Sequence, residues 1–284
     1  MIKIIECPRD AMQGIKEFIP SYKKVSYLNK LLKVGFDTID FGSFVSPKAI
    51  PQMKDTAAVL EELDLSGTKT SLLAIVANMR GAKDAASFDK ITYLGFPLSI
   101  SETFQLRNTN KSIAAALAEL VTIKDVCARQ NKKLVTYISM GFGNPYKDPY
   151  DVSMVNGFID VLRTLGSDVI SLADTIGAAT PELITDIVGS AIRAYPDMEI
   201  GVHLHSSVEG SVEKVNAAYK IGCKRFDGAL KGYGGCPMAK DDLVGNIATE
   251  AIIAYLKSRG KDLKIDEAAL SEAMKLADEI FPKN

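Results

Sequence analysis

Residues 168–205 read DVISLADTIGAATPELITDIVGSAIRAYPDMEIGVHLH. Short apolar runs at 168–173 and 199–205 flank a segment of helical periodicity, 181–194, which starts at a proline. A helix tolerates proline in its first turn, so we predict a strand, a helix starting at Pro181 and a second strand. This order of elements is typical of a parallel sheet covered by helices.

The same alternation recurs along the whole chain. The further predicted strands are 3–7, 38–42, 69–76, 91–96, 134–140 and 225–230, and the further predicted helices are 22–34, 51–63, 111–130, 149–165, 208–221, 247–258 and 267–279. About eight β-α units suit a closed (β/α)8 TIM barrel. A doubly wound open sheet is the alternative, but no GxGxxG motif follows the first strand. We therefore predict one catalytic TIM-barrel domain over 1–284, with the last two helices as a C-terminal extension.

The composition excludes several classes of function. The chain has 34 Lys and Arg against 35 Asp and Glu, a balance that gives no broad basic surface for nucleic acid or an anionic membrane. Its four cysteines form no CxxC pair, so neither a disulfide framework nor a zinc-finger spacing is present. No apolar run reaches the roughly 20 residues of a membrane span, and no export signal opens the sequence. We expect a cytoplasmic protein with reduced thiols.

His203 and His205 are the only histidines of the chain. They are two residues apart in a predicted strand, so both side chains point to the same side of it. Two buried imidazoles need polar partners, and a shared metal ion would supply one for each. The alternative is a pair of hydrogen-bonded structural histidines.

Polar residues also follow the first two strands, where the active sites of such barrels lie. The Asp10 carboxylate could complete an N and O donor set with the histidines, or it could be a turn or capping residue. Arg9 could stabilise an oxyanion or bind a substrate carboxylate, or it could form a salt bridge at the rim. Asp40 could orient a ligand or pair with Arg9.

The last strand leads into the glycine-rich segment 231–237, KGYGGCP. Its Cys236 could donate or accept a proton, although small buried cysteines are common. Asn246 stands at a predicted helix start, where it could cap the helix or bind a metal through its side-chain oxygen. Asp174 ends the sixth strand and also reaches the predicted rim.

Six segments together point to one family. PRDAMQ (8–13), SFVSPKAIPQM (43–53), SLADTIGAATP (171–181), GVHLH (201–205), GYGGCPMA (232–239) and GNIATE (245–250) stand in this order. In order and spacing they resemble the 3-hydroxy-3-methylglutaryl-CoA (HMG-CoA) lyase family of the DRE-TIM metallolyases. The GxGGCP loop is the part most characteristic of the lyase branch. The Arg-Asp pair and the His-x-His motif are shared with related Claisen-type synthases and aldolases.

The resemblance implies a divalent cation, Mg²⁺ or Mn²⁺, and cleavage of an acyl-CoA substrate to acetyl-CoA and acetoacetate. Carried over position by position, it implies the metal ligands Asp10, His203, His205 and Asn246. It also implies a catalytic Cys236, with catalytic or supporting roles for Arg9, Asp40 and Asp174 and a substrate-binding role for Gln13 and Arg9. We expect a homo-oligomer, a dimer, whose partner is the acyl-CoA and neither nucleic acid nor membrane.

Three positions depart from the pattern of that family. Ala11-Met12 replaces Gly-Leu, Asp40 replaces a longer Glu, and Ser206-Ser207 replaces Asp-Thr. None of these changes removes a metal ligand that the resemblance implies. They concern the surroundings of the site, so the identity of the acyl group stays open.

Other classes of function fit the sequence less well. A Claisen-type synthase or aldolase acting on a 2-oxo acid would use nearly the same ligands, but the CoA-dependent synthases generally carry an additional C-terminal region. A zinc amidohydrolase needs further histidines, and an iron oxygenase with two histidines and one carboxylate leaves Asn246 and the cysteine loop without a purpose. A non-catalytic metal-binding barrel would predict a lost ligand, and all four are present.

Overall fold

The computed structural model describes residues 1–235 and 244–281. Eight parallel strands close into a barrel in sequence order, with the last strand paired to the first. They are β1 (Lys3–Glu6), β2 (Thr38–Ser43), β3 (Ser71–Ile75), β4 (Ile91–Ser99), β5 (Lys133–Ser139), β6 (Val169–Ala173), β7 (Glu199–His203) and β8 (Arg225–Gly228). The predicted TIM barrel is confirmed.

Within the described ranges, helices follow the strands around the outside of the barrel. They are α1 (Pro8–Gln13), α2 (Ser21–Leu31), α3 (Thr56–Glu61), α4 (Met79–Ala86), α5 (Glu102–Thr109), α6 (Ile113–Arg129), α7 (Val152–Thr164), α8 (Pro181–Ala194), α9 (Val208–Lys220), α10 (Thr249–Ser258) and α11 (Glu267–Ile280). None of them is long and apolar enough to cross a membrane.

The boundaries of several elements correct the sequence predictions. The predicted helix 51–63 is a 3-10 turn followed by α3, and α1, α4 and α5 were not predicted. Pro149 lies outside its helix, because the side chain of Asp151 accepts a hydrogen bond from the Met154 N–H and so caps α7. Strand β7 ends at His203, and His205 forms an isolated bridge with Asn246.

The interior of the barrel differs from side to side. Apolar side chains from β3 to β6, among them Leu73, Val135 and Val169, form one buried cluster. On the other side β8 directs charged residues inward, and the side chain of Arg225 is fully buried. Gly201 of β7 makes room for it, because a Cβ at this glycine would lie 2.7 Å from the Arg225 Cδ.

Candidate metal centre and active site

A cavity of about 350 Å³ opens at the carboxyl ends of the strands. This is the end of the barrel where TIM-barrel enzymes place their catalytic groups. Its polar wall contains Arg9, Asp10, Gln13, His203 and His205. The rest of its lining includes an apolar wall of Val45, Ile50, Ile75, Pro97 and Phe104, and also Arg107, Asn108 and Thr109 from α5.

Three of the predicted ligands converge in this cavity. Ligand atoms of Asp10, His203 and His205 all lie within 4.8 Å of one another, and all three residues are buried. Asp10 belongs to α1, which begins at Pro8 directly after β1, so the first helical turn brings the carboxylate to the rim. The sequence predicts Asp10 at the rim after the first strand, with a turn or capping residue as the alternative, and the structure places it inside a short helix at that rim.

Asn246 joins the same group through its side-chain amide. Its Nδ2 donates to Asp10 Oδ2 at 2.7 Å and to the Tyr233 carbonyl at 2.9 Å. Helix α10 begins at Thr249, so the interpretation of Asn246 as a helix cap is wrong. Gly234 permits this close packing, since a Cβ there would lie 2.9 Å from the Asn246 Nδ2 and 2.8 Å from the Cα of Ala11.

Arg9 lies between two carboxylates on the polar wall. Its Nε and Nη2 donate to Asp40 Oδ2 at 3.0 Å and 2.5 Å, and its Nη1 donates to Asp10 Oδ1 at 3.0 Å. Gln13 adds a link, with its Oε1 2.9 Å from Arg9 Nη1 and its Nε2 2.7 Å from Asp10 Oδ1. This network fixes the guanidinium beside the ligand group, where it can stabilise negative charge that develops on a substrate.

The charges of the site favour an ionised Asp10 and a neutral His205. Burial alone would raise the pKa of Asp10, but Arg9, both histidines and the Asn246 hydrogen bond outweigh burial and lower it. Burial, together with the charge of His203, lowers the pKa of His205 to about 4. Burial also opposes the charged form of His203, yet its contacts with Asp227 and Asp10 raise the pKa of His203.

The donor atoms in this group fit a divalent cation. Within the described structure, Asn246 Oδ1 and His205 Nε2 are buried and have no hydrogen-bond partner. Such atoms are costly to leave unsatisfied, and a cation would satisfy both of them beside the Asp10 carboxylate. Mixed oxygen and imidazole donors suit Mg²⁺, Mn²⁺ and related divalent ions.

Asp174 lies next to the cavity but its carboxylate is already engaged. Its Oδ2 accepts from Lys214 Nζ at 2.8 Å, and its Oδ1 accepts from the Ala179 N–H at 3.0 Å. The buried Lys214 also donates to the His205 carbonyl at 2.7 Å and to the Gly177 carbonyl at 3.1 Å. Asp174 therefore anchors the ends of β6 and β7.

Two contributors to this region were missed by the sequence prediction. Lys214 lies on the buried face of α9 beside Ser211 and Val215, and a lysine on such a stripe is a signal that could have identified it. Asp227 lies under His203 in β8, where it alternates with the outward-facing Phe226. For Asp227, the signal in the sequence is that charged residues occupy alternate positions of a barrel strand.

Of the remaining predicted residues, Cys236 lies outside the described residues. Two basic residues, Lys48 and Arg107, differ in their position relative to the cavity. Arg107 lines the cavity and its guanidinium carbon lies 4.8 Å from the centre of the Tyr146 ring, whereas Lys48 is exposed and lies outside the cavity lining.

Known proteins resemble this chain over nearly its whole length. The hydroxymethylglutaryl-CoA lyase of Bacillus subtilis is 30% identical over 276 residues, which is 97% of this chain and 91% of that protein. The HMG-CoA lyase structure from Brucella melitensis superimposes with a TM-score of 0.91 at 27% identity and covers 98% of both chains. An HMG-CoA lyase from Acinetobacter baumannii, solved with coenzyme A and 3-methylmalate, gives 0.91 at 30% identity and covers 99% of this chain and 91% of that one.

The family assignment follows from these comparisons together with the geometry of the site. The model of the family described as HMGL-like matches residues 2–277, which cover all eight strands of the barrel, α10 and all but the last three residues of α11. The match includes Asp10, both histidines and Asn246, the four side chains that meet at the rim. This protein belongs to the HMGL-like family.

Proposed function

We propose that the protein is a divalent-metal-dependent HMG-CoA lyase that cleaves HMG-CoA to acetyl-CoA and acetoacetate. The observation that carries the proposal is the convergence of Asp10, His203, His205 and Asn246 beside the fixed guanidinium of Arg9. The relatives named as HMG-CoA lyases, one of them solved with coenzyme A, support the same activity.

The reaction needs a base, a stabilised enolate and a final proton donor. A bound Mg²⁺ or Mn²⁺, held by Asp10, both histidines and Asn246, would make the substrate's 3-hydroxyl more acidic. Once that hydroxyl loses its proton, the oxygen electrons form a ketone and the adjacent carbon–carbon bond breaks. Its electron pair passes to the thioester enolate, which takes up a proton to become acetyl-CoA. The two products account for every atom of the substrate.

Arg9 is the residue that faces the developing charge. Because Asp40 accepts hydrogen bonds from Nε and Nη2, the guanidinium is held in a defined orientation. Such preorganised donors stabilise an enolate more than the neutral thioester, and this difference accelerates the reaction. Gln13, hydrogen-bonded to Arg9 and Asp10, is placed to orient the substrate.

Cys236 is our candidate for the proton transfer to the enolate carbon. A thiol can donate or relay a proton near its pKa. We expect Cys236→Ser to reduce turnover strongly while the metal content stays unchanged. Unimpaired turnover of this variant would contradict the role. After Cys236, Asp174 is the second candidate for the proton transfer, as a proton acceptor, although Lys214 donates a hydrogen bond to its carboxylate.

The shape of the cavity suits an acyl-CoA. The polar wall would receive the hydroxyl and carboxylate of the acyl group, and the apolar wall would contact its methyl group. Arg107, an exposed residue that lines the cavity, is a basic side chain available to a phosphate of CoA. The choice of cation, the dimer and the cytoplasmic location stay predictions.

A substrate panel tests the proposal. The Mg²⁺-loaded protein is incubated with HMG-CoA, with branched 3-hydroxyacyl-CoA thioesters and with 2-oxo acids plus acetyl-CoA, and the products are identified by mass spectrometry. We expect acetyl-CoA and acetoacetate from HMG-CoA. Condensation of a 2-oxo acid with acetyl-CoA would instead indicate a Claisen-type synthase. Binding of metal without turnover of any substrate would indicate a non-catalytic barrel.

A further inference from the structure

A buried carboxylate lies directly beneath one of the proposed metal ligands. Asp227 of β8 is paired in register with His203 of β7, so both side chains point into the barrel. Asp227 Oδ2 lies 3.5 Å from His203 Nδ1, and the Asp227 side chain is completely buried. Among the described residues, the buried His203 Nδ1 has no other hydrogen-bond partner, and its contact with Asp227 lies at the upper limit of hydrogen-bond distance.

The other neighbours of Asp227 leave this contact available. Ser171 Oγ lies 3.4 Å from the same Oδ2, and Arg225 Nε lies 3.7 Å from Oδ1, beyond hydrogen-bond distance. The thiol of Cys7 is also near, but burial raises its pKa well above the usual value, so it is an uncharged neighbour. The Asp227 carboxylate is therefore available to accept a hydrogen bond from the imidazole of His203.

The orientation of the His203 ring decides which of its two nitrogens is accessible from the cavity. His203 Nδ1 is enclosed in the barrel, while the same ring lines the cavity together with Asp10 and His205. The other ring nitrogen, Nε2, is therefore the one available to a cation in the cavity. A neutral histidine that donates Nδ1–H to a carboxylate must keep the lone pair on Nε2.

We propose that Asp227 is a positioning residue, which accepts the Nδ1–H of His203 and so fixes the tautomer and orientation that present Nε2 to the divalent cation. The inference rests on the proposed function for the existence of the cation site, but it assigns a residue that touches neither cation nor substrate. Arg225 supplies the counter-charge, since its guanidinium is buried between Asp227 and Glu199, at 3.7 Å and 3.3 Å.

The first test measures metal affinity and uses no substrate. Mn²⁺ binding by calorimetry is compared for the wild type, Asp227→Asn and Ser171→Ala. We expect the dissociation constant of Asp227→Asn to rise by about 10- to 100-fold, the usual effect of losing such a partner. Ser171→Ala removes the other hydrogen bond to the same oxygen and should bind nearly as the wild type does. Equal affinity of Asp227→Asn and Ser171→Ala would overturn the inference.

The second test needs no Asp227 variant, so it stays valid if Asp227→Asn fails to fold. With two histidines in the chain, a ¹⁵N-histidine NMR spectrum of the Mg²⁺-loaded wild type contains two imidazoles, which His205→Gln assigns. We expect the His203 proton on Nδ1, and a proton on Nε2 would overturn the inference. A protein that cleaves HMG-CoA with His203 protonated on Nε2 would leave the proposed function intact. A protein with the expected tautomer that cleaves no thioester would overturn the function alone.

Discussion

Asn246 Nδ2 donates a hydrogen bond to Asp10 Oδ2 at 2.7 Å, across 236 residues of sequence. The amide therefore has a defined orientation, which leaves Asn246 Oδ1 without a partner in the described structure. One side chain thus positions the Asp10 carboxylate and supplies a further oxygen to the same site. This relationship places Asn246 beside the proposed metal ligands and predicts the effect of removing it.

We expect Asn246→Ala to weaken Mn²⁺ binding by at least about tenfold, because it removes a donor atom and the support of a second ligand. Calorimetric titration of the variant measures the change. Asn156→Ala, an asparagine on α7 that is hydrogen-bonded to Ser190, is the matched control and should bind as the wild type does. Undiminished affinity in Asn246→Ala would show that its oxygen binds no cation.

Variants of the Arg9–Asp40 pair should separate its contribution to stability from its contribution to activity. Arg9→Gln leaves the buried Asp40 without its ion pair, which should cost about 3–5 kcal/mol of unfolding free energy and reduce kcat by about 10²–10³-fold. The double variant Arg9→Gln/Asp40→Asn should recover most of the stability and none of the activity. Denaturant unfolding and steady-state kinetics measure the two effects. A double variant with restored turnover would show that Arg9 acts only as a structural partner of Asp40.

Removing the ammonium group of Lys214 should destabilise the fold next to the proposed metal site. Lys214→Met leaves Asp174 without its cation and the His205 carbonyl without a donor, so we expect a loss of about 3–5 kcal/mol of unfolding free energy. Urea unfolding measures the loss. Lys220→Met, on the exposed end of the same helix, is the control and should change little. Similar stability of the two variants would argue against Lys214 as an anchor.

The buried Glu6 should make the unfolding free energy depend on pH. It is fully buried, and burial raises the pKa of Glu6 from about 4.5 to about 8, despite its hydrogen bonds from Thr249 and the Leu230 N–H. The folded state therefore binds more protons than the unfolded state between these two values. Stability should fall by about 1.4 kcal/mol for each pH unit as the pH rises through this window.

Glu6→Gln cannot ionise and should lose this dependence. We expect the variant to gain stability relative to the wild type as the pH rises from 5 to 8, with no further gain above that. Guanidinium unfolding at pH 5, 7 and 9 measures the difference. Glu62→Gln, at an exposed glutamate, should follow the wild type at each pH. A pH-independent difference between wild type and Glu6→Gln would contradict the buried, protonated state.

The strands could be predicted from the sequence because they are buried on both faces. A parallel barrel strand reads as a continuous apolar run, and β6 was predicted within one residue. Helix α5 was missed because only Phe104 and Gln105 of its eight residues are buried, which leaves no helical period to detect.

The site could be predicted in part for a similar reason. Asp10 follows β1 and both histidines lie at or just beyond the end of β7, and the carboxyl ends of barrel strands converge on one face. The contacts of Asp227 and Lys214 depend on which side chains become neighbours across strands and helices. Their roles therefore follow only from the three-dimensional arrangement, and the orientation of Asn246 required the same information.

Four side chains from distant segments of the sequence are proposed to hold one cation. Anomalous diffraction at the manganese edge from Mn²⁺-soaked crystals tests it most directly. We expect a single strong peak in the barrel cavity, coordinated by Asp10, His203 Nε2, His205 and Asn246 Oδ1. A peak bound elsewhere, or no peak within reach of both imidazoles at saturating Mn²⁺, would contradict the account.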